Sequence, residues 1–325
     1  MAQVALSLVL LVSAALLHRG SRALDAVPPG FRAQGALTFR VLLPEQGFAS
    51  HAQAAAFHQA LADRLRALPG VREVGVAHAL PLSGFDGCSS VRAEGGGVAC
   101  VPVTFTSGDY LAALGVPVAG RAPTRGEAEA GAPVAVVSQA FARHAWPGRD
   151  PIGRRLRLSE RAEWHRVVGV AGDVRGAGLD RPAPRDVYVP LPSIAGGWPP
   201  PRAMSFVVRA PGADMDALAA EAARAAAAVD PRVPVVDARP LGALVAAYTA
   251  VLRFPARLLA VAAGAALLTS LLGLAAAARG LVPRAAGRPR LARAARLTAV
   301  GAGLGLLASV PASRVLATLP VRIDP

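Results

Sequence analysis

The chain has 325 residues and a formal charge of +14, yet it contains no lysine: all 35 basic residues are arginine. That excludes a phosphate-cradling loop ending in Gly-Lys-[Ser/Thr] and a Schiff-base lysine. The charge is also lopsided, because residues 238–325 carry eleven arginines and one acid, Asp324. These arginines flank apolar runs, and aromatics are only 5% of the chain, which argues against nucleic acid as a partner and for a lipid bilayer.

Residues 4–17 form the first apolar run. About 14 residues make about 21 Å of helix, short of a bilayer core of about 30 Å. The run reads either as the apolar core of a cleaved signal peptide or as a first membrane span. No Lys or Arg precedes it, as a signal peptide would require, and the rest of the chain reads as membrane-bound. The expectation is therefore an N-terminal transmembrane helix over 1–20, serving as a signal anchor.

Residues 30–245 read as an α+β domain large enough to bury its own core. Residues 36–43 are a strand closed by Pro44. Ser50 or His51 opens a helix to about Leu68, with Ala55, Leu61, Leu65 and Leu68 at helical spacing and Pro69-Gly70 ending it. Residues 71–79 alternate as a second strand. The unit returns later: a strand at 204–209, a helix capped by Asp214 and running to about Val229, and a strand at 233–237. Two split β-α-β halves, 30–83 and 202–245, predict one ferredoxin-like layer. Residues 84–201 are then an inserted mixed β subdomain, with strands at 98–105, 134–137, 154–158, 165–170 and 187–190. Short helices are expected at 107–114 and 138–146. The segments 84–97 and 120–132 read as the most loop-like surfaces and hence as partner contacts.

Cys88 and Cys100 are the only cysteines and bracket a Gly-rich bend. In an extracytoplasmic domain they are a disulfide candidate, closing a loop of about 13 residues and contributing about 3 kcal/mol on the chain-entropy model. The alternative is two unpaired, half-buried thiols. No catalytic, cofactor or metal site is expected. The six histidines are scattered, His51 and His58 lie about 10 Å apart along their helix, and no His-Glu-x-x-His, Cys-x-x-Cys or Gly-x-Ser-x-Gly pattern occurs. Gly169-Val-Ala-Gly-Asp173 reads as a strand-exit turn rather than a dinucleotide loop. Ser107-Gly-Asp109 reads as local turn chemistry, and Arg209 as a surface residue.

Residues 254–278 and 297–319 are each long enough to span a bilayer. Between them, in 279–296, lie Arg279, Arg284, Arg288, Arg290, Arg293 and Arg296, a basic loop that the positive-inside rule places in the cytoplasm. His18, Arg19 and Arg22 pull the other way, and six arginines outvote two.

The motifs also resemble a known family. Ser138-Gln-Ala-Phe-Ala-Arg-His-Ala-Trp-Pro-Gly-Arg-Asp-Pro-Ile-Gly-Arg-Arg-Leu-Arg-Leu158 is similar to the signature stretch of the periplasmic core domain of MacB/FtsX-type ABC transporter permeases. The stretches 106–118, 167–175 and 186–191 resemble its neighbours, and the opening, 4–31, resembles the start of the second half of the duplicated permeases. The resemblance implies a multi-pass inner-membrane permease subunit without its own ATPase, paired with a second permease subunit or half. A separate cytoplasmic ABC ATPase would drive the periplasmic domain as a lever for export or efflux. Members carry a helix that docks on the ATPase after the second span and a fourth span at the end. Here 279–296 is short, lacks Glu and holds Pro283 and Pro289, which disfavour a helix. The expectation is a C-terminally shortened permease region, and its rival is a membrane-anchored periplasmic binding or scaffold protein that has lost transport coupling.

Overall fold

In the computed structural model the described residues are 27–280, except 85–86, 108, 160–161 and 192–199, together with residues 15 and 19. Two compact units divide the chain, Pro28–Ala246 and Met1–Val27 with Ala247–Pro325.

Within Pro28–Ala246 the first unit of structure is β1 (Ala36–Leu42), α1 (His51–Arg66) and β2 (Glu73–Ala77). Helix α1 starts where Ser50 accepts from the Gln53 amide while the Gln53 side chain returns to the Ser50 amide, a reciprocal cap that satisfies two otherwise orphaned donors. The matching half is β11 (Ala203–Arg209), α5 (Met215–Val229) and β12 (Val235–Pro240), with Asp214 accepting from the Asp216 and Ala217 amides. These four strands stand in the order β12-β1-β11-β2, each antiparallel to its neighbour. That is the ferredoxin-like arrangement expected of two split β-α-β halves.

Alternation decides which face is covered. Leu37, Phe39 and Val41 of β1 and Met204, Phe206 and Val208 of β11 join Phe57, Leu61 and Leu65 of α1 and Leu218, Ala222 and Ala226 of α5 in one core. Phe39 and Phe206 are cross-strand partners with rings stacked 5.1 Å apart. The small residues at four-residue spacing on α5 let that helix lie close to the sheet.

The segment between the halves continues the same sheet. Its strands are β3 (Ser89–Ala93), β4 (Val98–Val101), β5 (Val103–Thr106), β6 (Val118–Gly120), β7 (Val134–Ser138), β8 (Arg155–Arg157), β9 (His165–Ala171) and β10 (Val187–Pro190). Beyond β2 the order runs β5-β10-β7-β9-β8-β3-β4, with β6 on β9. The expected strand over 98–105 is two strands. Pro102 has no amide hydrogen, so pairing breaks there: β4 turns back on β3 while β5 joins β10 and β2. The short helices are α2 (Tyr110–Leu114), α3 (Arg125–Glu129) and α4 (Gln139–Ala145).

Helices α1 and α2 cover opposite faces of β2. Val74 and Val76 point into the α1 core, and Gly75, between them, faces α2. A Cβ at Gly75 would lie 2.6 Å from the Tyr110 Cα, so only glycine admits the backbone of α2 at this distance. Gly75→Ala is expected to destabilise the domain by about 1–3 kcal/mol, the range for overpacking, read as a lowered thermal midpoint of the full chain; an unchanged midpoint would show that α2 can retreat freely.

The last helix, α6 (Leu241–Gly280), begins directly after β12 and runs 40 residues, across the boundary of the two units. The sequence expects a helix at 254–278; the observed one starts thirteen residues earlier. Among the residues whose side chains are described, no helix is long and apolar enough to cross a membrane.

Candidate functional site

The ferredoxin-like layer and the inserted strands meet where β2 touches β5, and the ladder there has one registered pair, Ala77 with Thr106. Side chains extend it. The Val76 amide donates to Ser107 Oγ at 2.9 Å, and the Ser107 amide returns to the Val76 carbonyl at 2.8 Å. At the other end the Phe105 amide donates to His78 Nδ1 at 3.2 Å, and the His78 amide donates to the Phe105 carbonyl at 3.3 Å. Nδ1 can accept only in the neutral ring, and burial lowers the His78 pKa, keeping it neutral.

Charged groups close the seam on the α1 face. Arg66 of α1 donates to Asp63 and, across the seam, to Asp109, both at 2.8 Å. Arg125 of α3 pairs with Glu129 at 2.7 Å and with Asp63. Each pair is half-exposed and worth at most about 1 kcal/mol alone; the network ties α1, α2 and α3 together. A small cavity of about 90 Å³ lies beside it, lined by His58, Arg66, Ser107 and Asp109 among others. His58 is buried, its Nε2 is 2.8 Å from the Pro201 carbonyl, and burial lowers its pKa to about 4.

A larger cavity of about 290 Å³ opens beside Ala79, Thr104, Tyr110, Arg181, Asp186 and Tyr188. Asp186 is 6% exposed, and among the described residues it forms no ion pair. Burial pushes its carboxyl up to about 7, opposed by the hydrogen bond from the Tyr188 hydroxyl and reinforced by the charge of Asp173. The Tyr110 hydroxyl donates to the Ala79 carbonyl.

The residues that carry the family resemblance converge next to this cavity. Ser138, fully buried, caps α4 by accepting from the Phe141 amide and also accepts from the Asp186 amide at 2.9 Å. Asp173 follows the β9 exit. It accepts from the Ala140 amide and from Arg143, both at 2.7 Å, so a carboxylate sits at the positive end of α4. Trp146 closes α4, and its indole donates to the Glu94 carbonyl at 2.9 Å. The motif is therefore a joint between β7, β9, β10 and the β3–β4 hairpin. It offers no nucleophile paired with a base, and among the described residues no group of His, Cys, Asp or Glu could hold a metal ion.

Several expectations meet the structure differently. Arg209, read as a surface residue, is partly buried, and its guanidinium donates to the carbonyls of Ala113, Gln34 and Arg32. It fastens the end of α2 and the 32–34 segment onto β11. The loop-like segment 120–132 contains α3, capped reciprocally by Thr124 and Glu127, with Arg121 gripping both Glu127 oxygens at 2.6 and 2.8 Å. The segment 84–97 contains β3. Ser107 and Asp109, read as local turn chemistry, bond across the seam. Cys88 and Cys100 form a disulfide, Cα–Cα 5.4 Å, beside the β3–β4 ladder. Arg279 lies at the end of the α6 backbone. Arg284, Arg288, Arg290, Arg293 and Arg296, the span expected at 297–319, and all but two residues of the one expected at 1–20 lie outside the described residues.

The family model for the MacB-like periplasmic core domain matches residues 4–225, and the chain belongs to this family. Among solved structures it is similar to the periplasmic region of MacB from Actinobacillus actinomycetemcomitans, at 12% identity and TM-score 0.46, covering 66% of this chain and 92% of that one. It is also similar to the extracellular domain of the noncanonic ABC-type transporter YknZ from Gram-positive bacteria, at 16% identity and TM-score 0.42, covering 62% and 100%. A domain of a permease protein from Porphyromonas gingivalis, described as putative, matches at 18% identity and TM-score 0.40, covering 65% and 92%. A search of curated proteins found no match.

Asp186 makes a testable pH signature. Between pH 3.8 and about 7 the folded chain holds a proton that the unfolded chain releases, so this group's contribution to stability falls as pH rises through that window. Neutral His58 acts in the opposite direction between pH 6.5 and about 4, equally in wild type and variant. The stability of Asp186→Asn relative to wild type is therefore expected to rise by up to about 1.4 kcal/mol per pH unit across the window. Unfolding midpoints at pH 4.5, 5.5 and 6.5 measure it; parallel curves would place the Asp186 titration elsewhere.

Proposed function

We propose that the chain is a membrane permease subunit of an ABC-type transporter of the MacB/FtsX kind. Pro28–Ala246 then stands outside the cytoplasm and takes its motion from a separate cytoplasmic ATPase. The observation that carries this reading is α6. It leaves β12 without a break and continues for about 60 Å at 1.5 Å per residue. Along it, among the residues whose side chains are described, Val251, Phe254, Leu258, Val261 and Leu268 are exposed, and steps of three, four and seven residues set these five in one apolar stripe. Apolar residues in such a stripe are stable in lipid and costly in water.

Other features support the same placement. A disulfide at Cys88–Cys100 is a bond of oxidising compartments. The arginines of 279–296 fit a cytoplasmic loop, with spans at 254–278 and 297–319 and a further one over 1–20 making the protein multi-pass. Nothing in the reading requires catalysis by this chain: its work is to pass motion to the domain for export or efflux, alongside a second permease subunit or half. The rival reading, a membrane-anchored binding or scaffold protein, is favoured by Pro283, Pro289 and the absence of Glu in 279–296, since a docking helix suffers from each proline.

Affinity purification of the tagged, detergent-solubilised chain, with mass spectrometry of its partners, separates the two. The permease reading expects a stoichiometric ATPase that is lost when 279–296 is deleted. Envelope proteins without an ATPase would overturn it in favour of the scaffold.

A further inference from the structure

Alternation along β10 sends Val187 and Val189 into the main core. Tyr188, and Asp186 just ahead of the strand, therefore face the opposite side, where with Tyr110 of α2 they line the cavity of about 290 Å³. The rest of the wall is largely apolar, with Leu80, Pro81, Val103 and Val174 among its residues. Two of its edges, Leu80–Pro81 and Gly176–Ala177, are tied together, because the Leu82 amide donates to the Gly176 carbonyl at 2.7 Å. Leu82 takes a φ of 61°, a left-handed conformation that leucine rarely adopts. Such a conformation persists only where its surroundings hold it, so the cavity is built into the fold.

The buried polar groups here are mostly acceptors. Asp186 Oδ2 accepts from the Tyr188 hydroxyl at 3.4 Å, and among the described residues Oδ1 has no partner. A phenol has one proton. Tyr188 uses its proton on Asp186, and Tyr110 uses its own on the Ala79 carbonyl at 3.2 Å, which leaves acceptor lone pairs on both oxygens. The two rings, with centres 6.5 Å apart and planes tilted by 46°, add π faces that attract an ammonium. Asp173, which is joined to Arg143, adds negative charge close to Asp186. Arg181 also lines the cavity, but it is exposed and leaves Asp186 without an ion pair. A buried carboxyl with no cation beside it is completed by an incoming one.

We infer that this cavity binds a small primary amine, with its ammonium on Asp186 and an apolar body against Tyr110, Tyr188 and the apolar wall. An ammonium brings three donors to a site whose phenolic donors are already in use. The volume is that of about ten waters in the liquid, at about 30 Å³ each. An amine of about that many heavy atoms fits, whereas a lysine side chain from a partner protein would fill about half of the room. A bare metal ion needs several ligands, and among the described residues no group of His, Cys, Asp or Glu could supply them. The inference does not depend on transport by this chain.

The test is isothermal titration calorimetry of the full chain in detergent with phenethylamine at about pH 8, where the amine is cationic and Asp186 ionised. Saturable binding is expected, at least about ten-fold tighter than that of phenylethanol, which keeps the ring and loses the charge. Phenylpropionate, of similar shape and opposite charge, is expected not to bind. Acetyl-lysine methylamide, standing in for a partner's side chain, is expected to bind at least about ten-fold more weakly than phenethylamine. Asp186→Asn removes the charge, and Ala177→Phe fills the cavity with the carboxylate in place; each is expected to weaken binding at least about ten-fold. Partition into micelles is the same for wild type and both variants, so it cannot imitate that difference. Asp186 takes up its proton below about pH 7, so amine affinity is expected to fall by up to about ten-fold per pH unit between about pH 6.5 and 5.5. Tyr110 and Tyr188 stay neutral throughout, because burial raises both. The ligand comparison and the pH series need no variant, so they decide the matter even if a substitution unfolds the chain. No binding of phenethylamine, equal binding by wild type and Asp186→Asn, or equal binding of phenylethanol or the lysine amide would overturn the inference. So would tighter binding of phenylpropionate, which would make Arg181 the anchor.

Discussion

The fold depends on how β2 meets β5. A ferredoxin-like layer alone ends at β2, whose outer edge would present unpaired backbone groups. Here Ala77–Thr106, the Val76–Ser107 exchange and the Phe105–His78 bond pair that edge, and seven more strands follow in the same sheet. Arg66–Asp109 closes one side of the joint, and α2 against Gly75 closes the other. One continuous core then runs from β1 to the strands of the insertion.

Much of this was legible in the residues, and the remainder was not for physical reasons. The β-α-β halves announce themselves through local signals: alternation, Ser50 and Asp214 as caps, Pro69-Gly70 as a stop. The pieces that escaped are held by distant partners. Ser89–Ala93 carries two serines and an arginine among five residues, and becomes a strand because β4 and β8 flank it. Helix α3 has five residues, yet Thr124-x-x-Glu127 is a capping signature that could have marked it. Ser107 and Asp109 find partners 31 and 43 residues away, which no window along the chain can register. Arg209 looked like a surface cation because its three acceptors are backbone carbonyls, invisible to a reading of side-chain types.

The family motif has a similar lesson. Of its polar members Ser138, Asp173 and Asp186, Asp186 lines the larger cavity, and a buried carboxyl beside a cavity is a common element of acid–base sites. The partners of the three are amides, a helix terminus and a tyrosine. Ser138 and Asp173 use their lone pairs to join strands and anchor α4, and Asp186 stays buried with a raised pKa.

The central claim is that Pro28–Ala246 stands outside the cytoplasm as the body of a permease subunit. The most direct measurement places one cysteine on the exposed turn of α1, Ala60→Cys, and labels intact cells with a membrane-impermeant sulfonated maleimide, with the wild type as background. The account predicts labelling of the variant in intact cells equal to that after lysis. Labelling only after lysis would put the domain in the cytoplasm and contradict it.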